Sequence, residues 1–458
     1  MSEFNTIGSF LRQVRREVCL KDDEEYNLLG VKWYGQGVFL RETKKGKEIK
    51  AKKLYQVRAG DFIYNRLFAW KSSFSIVENE FDGCLVSNEF PLFEYDQKSI
   101  DPHFLLIYVL QPNFIDQVNR TSGGMSGISR KRYKEAQFKN ALFPAWSIQK
   151  QKTISRTIKN WKSYIEALNI ELATQSSLLT KLRQSILQEV IEGKLTADWR
   201  KANPVRKGDP EYDAEALLAE IKAEKQKMIA EGKIKKEKAL APIKKEDLPF
   251  EVPEGWVWTR LGEIGLFGRG KSKHRPRNDP SLFINGIYPF VQTGDVSKSK
   301  YNNYQIEKGK KFYNEKGLHQ SQIWVKGTLC ITIAANIAET GFLALDACFP
   351  DSVVGFSSLS GNYTPQYLRY FLDCAQSNLI KFAPATAQKN INLEIIERLP
   401  ISFPSLIEQC AIVKRVETLL SMVDELEKQV KERKEDANML LQEVLREAFE
   451  EAPDKESA

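Results

Sequence analysis

Ile154-Ser-Arg-Thr-Ile158-Lys-Asn-Trp161-Lys-Ser-Tyr-Ile165-Glu-Ala-Leu168-Asn-Ile-Glu-Leu172-Ala-Thr-Gln175 carries its apolar side chains at alternating steps of four and three, and the spacing continues through Leu179, Leu182 and Ile186. That rhythm lays a row of side chains along one edge of a long helix and predicts a coiled-coil seam. Shifted by 258 residues, the same row recurs as Ile412, Val416, Leu419, Val423, Leu426, Val430, Arg433, Ala437, Leu440 and Val444. The polar interruptions Gln175 and Arg433 fall at the same heptad place, where a lone polar residue weakens packing but fixes register. Both helices end alike, in Leu187-Gln-Glu-Val190 and Leu441-Gln-Glu-Val444, four residues out of the earlier shift. In a heptad pattern this is a stutter, which alters winding without breaking the helix.

The regions before the two seams also correspond, so the chain is a tandem of two large units with a period of about 260 residues, too long for a solenoid. Tyr55-Gln-Val-Arg-Ala-Gly-Asp-Phe-Ile-Tyr-Asn65 and Gln322-Ile-Trp-Val-Lys-Gly-Thr-Leu-Cys-Ile-Thr332 each read as a turn leading into a half-buried strand. Ile100-Asp-Pro-His-Phe-Leu and Tyr363-Thr-Pro-Gln-Tyr-Leu read as equivalent helix starts, with a polar cap followed by proline in the first turn. Phe143-Pro144 and Phe403-Pro404 close the two mixed regions. The expected fold is therefore α+β: two mixed domains, 1–145 and 248–404, and two long helices, 146–200 and 405–450, packed as an antiparallel coiled coil. Between the units, 201–247 is charge-rich and bounded by prolines, and reads as a linker holding a solvated helix around Glu215–Ile229. Its lysines Lys233, Lys235, Lys236 and Lys238 read as a solvated charge run that could also touch phosphate.

Composition narrows the function. Sixty-eight Lys plus Arg against 60 Asp plus Glu leave a net charge of +8, which favours a polyanionic partner without demanding one. The longest wholly apolar run, Phe104–Leu110, is far below the roughly 20 residues that cross a bilayer, and the N-terminus carries no secretory pattern, so a cytoplasmic protein is expected. Six scattered cysteines and three histidines suggest neither a zinc site nor a disulfide framework; the cysteines read as small buried hydrophobes.

Several segments resemble the specificity subunits of type I restriction-modification systems. They are Leu187-Gln-Glu-Val-Ile-Glu-Gly-Lys-Leu-Thr-Ala-Asp-Trp199, Leu248-Pro-Phe-Glu-Val-Pro-Glu-Gly-Trp-Val-Trp258, Val291-Gln-Thr-Gly-Asp-Val296, Pro350-Asp-Ser-Val-Val-Gly-Phe356, Phe403-Pro-Ser-Leu-Ile-Glu-Gln409 and Gly30-Val-Lys-Trp-Tyr-Gly-Gln-Gly37. The resemblance implies a subunit without an active site of its own, whose two domains each contact one half of a bipartite double-stranded DNA target. It also implies two methyltransferase subunits carrying S-adenosylmethionine for adenine methylation, and two motor-nuclease subunits using ATP and Mg, with the long helices as spacer and docking surface. A helix of about 40 residues is roughly 60 Å long, enough to span half-sites one DNA turn apart.

Base reading calls for Arg, Lys, Asn, Gln or aromatic side chains, and phosphate contact for cations and backbone amides. Candidates in the first domain are Tyr34, Gln36, Asn65, Arg66, Ser126, Arg130, Lys131 and Arg132. In the second they are Arg269, Lys271, Lys273, His274, Arg275, Gln292, Lys298, Lys300, Gln388, Lys389 and Asn390. Two rival readings remain. A coiled-coil adaptor would need no mixed domains. Gly265-Leu-Phe-Gly-Arg-Gly-Lys-Ser272 fits a phosphate-loop pattern, with Phe342–Asp346 as an acidic strand partner, but Pro276 and Pro280 follow where the helix of a nucleotide site should begin.

Overall fold

The computed structural model describes residues 4–51, 53–122, 132–235, 240, 242–244, 246, 248–334, 337–359, 363–381 and 391–450. The chain divides into two compact units: residues 1–172 with 433–458, and residues 173–432. The long helices Ile148–Ile191 and Leu406–Glu450 run without interruption through the seam, the stutter and the paired Leu-Gln-Glu-Val ends.

The first unit is α+β. Its opening strand Phe4–Thr6 pairs antiparallel with Leu142–Pro144, the last strand before the long helix. A four-stranded sheet runs Leu11–Val14, Leu92–Tyr95, Phe62–Tyr64, Phe74–Ile76, and a five-stranded sheet runs Glu17–Val18, Leu54–Gln56, Leu85–Ser87, Glu25–Val31, Val38–Lys45. Phe62-Ile-Tyr64 is buried at every position, because both faces of this inner strand are covered; the expected half-burial is corrected accordingly. The helix Pro102–Val109 starts as the sequence indicates: the Asp101 carboxylate accepts the N–H of Phe104 at 2.8 Å, and Pro102 sits where no N–H is required. Aromatic rings fill the core, with Phe62 stacked on Phe138 at 5.6 Å. Phe449, from the end of the second long helix, stacks on Phe104 and Trp146 at 5.6 and 6.0 Å.

The second unit repeats the scheme. Strand Val257–Arg260 pairs antiparallel with Pro400–Phe403, again the last strand before a long helix. A five-stranded sheet runs Gly265–Arg269, Val353–Ser358, Leu329–Thr332, Thr340–Leu343, Gln305–Ile306, and a four-stranded one runs Lys311–Tyr313, Tyr288–Phe290, Ala347–Cys348, Ile323–Trp324. Leu329–Thr332, like its counterpart, is wholly buried. Helix Tyr363–Lys381 holds Pro365 in its first turn.

The reading of 201–247 as a linker with a solvated helix is overturned. Helix Ala214–Ala230 buries Leu217 and Ile221 in the main core of the second unit, Lys225 donates to the Gly262 carbonyl at 2.6 Å, and Lys222 pairs with Glu263 at 3.0 Å. Leu217 and Ile221 stand four apart on one face; each such buried side chain contributes roughly 1.5–3 kcal/mol, which outweighs the charged composition of the opposite face. Lys233 pairs with Glu231, Lys235 is described, and Lys236 and Lys238 lie outside the described residues. Of the cysteines, Cys84, Cys330 and Cys348 are buried as expected, Cys374 and Cys410 are half-buried, and Cys19 is exposed.

Each long helix starts on a buried glutamine. In the first unit Gln151 accepts the Asp101 N–H at 3.0 Å and donates to the Trp146 carbonyl at 2.9 Å. In the second, Gln409 donates to the Pro404 carbonyl at 2.9 Å and accepts from the Thr364 hydroxyl at 2.8 Å.

Within the second unit the helices run antiparallel. Val190 shares a core with Ile412 and Val416, Arg183 pairs with Asp424 and, at 3.3 Å, with Glu427, and Leu179, Ile186 and Val423 cluster with Leu419 and Val430. The seam is half of what its pattern implies. In one row Ile158, Ile165, Leu172, Leu179 and Ile186 are buried, as are Val416, Val423 and Ala437, with Val430 half-buried. In the alternate row Ile412 is buried and Ile154, Trp161, Gln175 and Leu419 are half-buried, whereas Leu168, Leu182, Leu426, Arg433 and Leu440 are exposed. Each helix is turned so that one heptad row fills the interface and most of the other lies along its margin. Within the second unit this exposed margin carries Leu182 and Leu426.

Candidate nucleic-acid interface

In the first unit the connection Lys32–Gly37, between Glu25–Val31 and Val38–Lys45, is held as a rigid head. Tyr34 donates its N–H to the Lys71 carbonyl at 2.8 Å, Gly35 to Ser72 at 2.9 Å, and the Ser73 hydroxyl reaches the Val31 carbonyl at 3.0 Å. Trp33 packs 5.5 Å from Phe68, and the Lys71 ammonium lies 3.4 Å over the Trp33 ring. These contacts hold Tyr34 at a φ of 58°, a left-handed conformation costing a bulky residue roughly 1–3 kcal/mol. Tyr34 is 67% exposed and Gln36 is also exposed. An aromatic face, an amide and a cation are thus presented together, the set that base edges and phosphate need.

Asn65 and Arg66 have other work. Asn65 is buried, and its side-chain oxygen accepts the Leu67 N–H at 2.9 Å, closing the turn on which Lys71 sits. Arg66 is largely buried in an ion pair with Glu135, which that guanidinium helps to hold below the usual carboxylate range against its burial. Neither side chain is presented to a groove, so both leave the proposed surface. Arg132 is exposed but forks onto Glu89 at 2.7 and 3.2 Å. Ser126, Arg130 and Lys131 lie outside the described residues.

In the second unit the strand Gly265–Arg269 runs into a loop rather than a helix, and the next helical turn is Pro280–Leu282. Ser272 is buried and Lys271 has no helix N-terminus behind it, which removes the phosphate-loop reading. The loop is instead pinned so that cations project. Lys271 anchors its N–H on Phe349 at 3.1 Å and leaves its side chain in solvent, as does Lys273. Arg275 donates to the carbonyls of Ser272 and His274 at 2.6 and 2.9 Å, and Arg269 donates to the Asp351 carbonyl. His274 meets Asp279 at 2.7 Å; the Ser281 N–H and hydroxyl, with His274, hold that carboxyl down to about 2. Gln292 is half-buried at the start of the short helix Thr293–Lys298, its N–H donated to Asp295 at 2.9 Å. Lys298 is exposed, and Lys300 lies 5.2 Å from the centre of the exposed Tyr301 ring and 3.8 Å from Glu339. Gln388, Lys389 and Asn390 lie outside the described residues.

Sequence reasoning missed the residue on which its own motifs converge. Glu408, buried at the start of the second long helix, accepts from Thr196 at 2.7 Å, Arg200 at 2.6 Å and the Trp256 indole at 2.7 Å. Thr196 belongs to the segment ending at Trp199, Trp256 to the one ending at Trp258, and Glu408 to the one ending at Gln409. These segments therefore form one buried junction that organises the unit, not separate contact sites. Among the described residues no group of three or more His, Cys, Asp or Glu could hold a metal ion, and no helix is long and apolar enough to cross a membrane.

Comparison with known proteins agrees with this architecture. Residues 253–435 match the family described as "Type I restriction modification DNA specificity domain". The chain is 26% identical to the type I restriction enzyme EcoEI specificity subunit of Escherichia coli over 281 residues, 58% of this chain and 44% of that protein. It is 38% identical to the EcoAI specificity subunit of Escherichia coli over 117 residues, 26% of this chain and 18% of that one. The match thus spans less than half the length of these two relatives. Among solved structures, the HsdS subunit from Thermoanaerobacter tengcongensis shares the fold with a TM-score of 0.63 at 16% identity, covering 98% of this chain and 96% of the other.

Proposed function

We propose, from the premise that this chain belongs to the type I restriction-modification specificity subunits, that it is a non-catalytic DNA-reading subunit in which each mixed domain reads one half of a bipartite target. The observation that carries this is repetition with variation. The same strand pairing and the same buried glutamine recur in both units, yet one exposes the Trp33–Gln36 head and the other the Lys271–Arg277 loop. A conserved frame with dissimilar exposed loops is what reading two different half-sites requires.

The exposed leucines Leu182 and Leu426 on the coil within the second unit are proposed as a docking surface for methyltransferase, two subunits of which would bring S-adenosylmethionine and the adenine-N6 chemistry. Two motor-nuclease subunits using ATP and Mg would complete the restriction enzyme, in the cytoplasm. A pure adaptor is disfavoured by the braced, exposed polar loops, which scaffolding does not need. The test is co-expression with a cognate methyltransferase, followed by genome-wide mapping of modified adenines. A split motif that appears only with this chain is expected; modification without sequence preference would reject the reading.

A further inference from the structure

One stretch holds nearly all of the chain's excess charge. Residues 269–316 contain eleven lysines and arginines against four acids, a surplus of seven where the whole chain has +8. In the middle of it stands an apolar tip. Ile284 is 63% exposed and Ile287 is 70% exposed, separated only by Asn285, at a φ of 54°, and Gly286.

The tip is built to stay out. Asn314 donates to the Ile284 carbonyl at 3.0 Å, Ile287 donates its N–H to Tyr313 at 2.9 Å, and Gly286 donates to Phe283 at 3.0 Å. A side chain at Gly286 would collide with the Phe312 backbone oxygen, so the turn sits directly on the strand Lys311–Tyr313. Cations stand at its base: Lys316 donates to the Ser281 hydroxyl at 2.8 Å, and Lys311 lies 5.0 Å from the centre of the Phe283 ring. Phe312, itself part-exposed, extends the apolar surface.

Two branched aliphatic side chains held in water need a reason, because burying each is worth roughly 1.5–3 kcal/mol. A protein partner would answer an apolar tip, but Lys311 and Lys316 at its base, within a stretch of surplus positive charge, call for a polyanion. We propose that Ile284 and Ile287 form a wedge that enters the minor groove of the half-site read by the second domain and parts one base step, while Lys311 and Lys316 neutralise the flanking phosphates. This rests on the DNA-reading function proposed above and adds deformation of the target to it. Unstacking costs a few kcal/mol per step and is repaid by the surface that a bent duplex brings into contact.

The test uses the assembled methyltransferase complex and a duplex carrying its mapped split motif, labelled at both ends for energy transfer. Ile284→Ser with Ile287→Ser is expected to lower affinity about tenfold and reduce the bend, with an unchanged melting temperature and salt slope, since no phosphate contact is lost. Ile284→Met with Ile287→Met should restore the bend. Lys316→Gln should instead lower the salt slope by about one without abolishing bending. An unchanged bend and affinity in the serine variant overturns the wedge, and so does loss of methyltransferase from the complex, which would assign the tip to a protein partner. If the wild-type complex shows no sequence preference at all, the DNA-reading function falls with it, a result distinct from either.

Discussion

Trp256 donates its indole N–H to Glu408 across 2.7 Å, joining the entry to the second mixed domain with the first turn of the long helix that leaves it. Arg200 and Thr196 complete the same carboxylate. Glu408→Ala would strip its carboxylate from the half-buried Arg200 guanidinium, which keeps only neutral acceptors such as the Gly193 carbonyl, would leave the Trp256 indole without its acceptor, and should destabilise the second unit by about 3–5 kcal/mol. Trp256→Phe, which removes one donor, should cost about 1–3 kcal/mol. Urea denaturation separates the two; equal, small losses would show that the junction is not held by the charge.

Asp373 is pushed up to about 6 by burial, against the pull of Arg369 at 3.0 Å and of Arg183. Between its ordinary 3.8 and that value the folded chain holds a proton that the unfolded chain releases, so stability falls as pH rises through this window and is level above it. Asp373→Asn should therefore match the wild type near pH 4 and melt higher than it at pH 7. A lower melting temperature for the variant at pH 7 would mean that the ion pair with Arg369 outweighs burial.

The two rows of the seam should behave differently. Ile186→Ser in the buried row is expected to destabilise the coil by about 2–5 kcal/mol, the range for emptying a packed aliphatic site. Leu182→Ser with Leu426→Ser in the exposed row should leave melting nearly unchanged and abolish co-purification with the methyltransferase. Retention of the partner by the exposed-row variant would reject the docking surface.

Removing one heptad from each long helix takes away about 10.5 Å of helix, the length of roughly three base pairs. The unread gap between the half-sites should shorten when modified adenines are mapped. An unchanged gap would reject the helices as a ruler.

Gln36→Ala on the proposed reading head of the first domain should relax base preference in one half-site and leave the other intact, whereas Lys273→Ala in the basic loop of the second should weaken binding of every sequence alike. Mapping motifs with each variant distinguishes them.

The duplication, the long helices and the helix start at Asp101 were legible because each rests on a local period or a capping chemistry. The contact list was legible only in part. Nothing local separates Gln36, which faces solvent, from Asn65, whose amide closes a turn, or Lys271, which projects, from Arg66, which is paired inside. The solvated reading of Glu215–Ile229 failed because a charged composition conceals a narrow apolar face.

Sequence by itself determined that this chain is one plan written twice, since heptad spacing and turn chemistry act between neighbours along the chain. Only the tertiary structure decided which heptad row is buried, which cations are spent on carboxylates, and that three distant motifs meet at Glu408. Burial and ion pairing depend on what the fold brings alongside a residue, and that neighbour can lie 152 positions away.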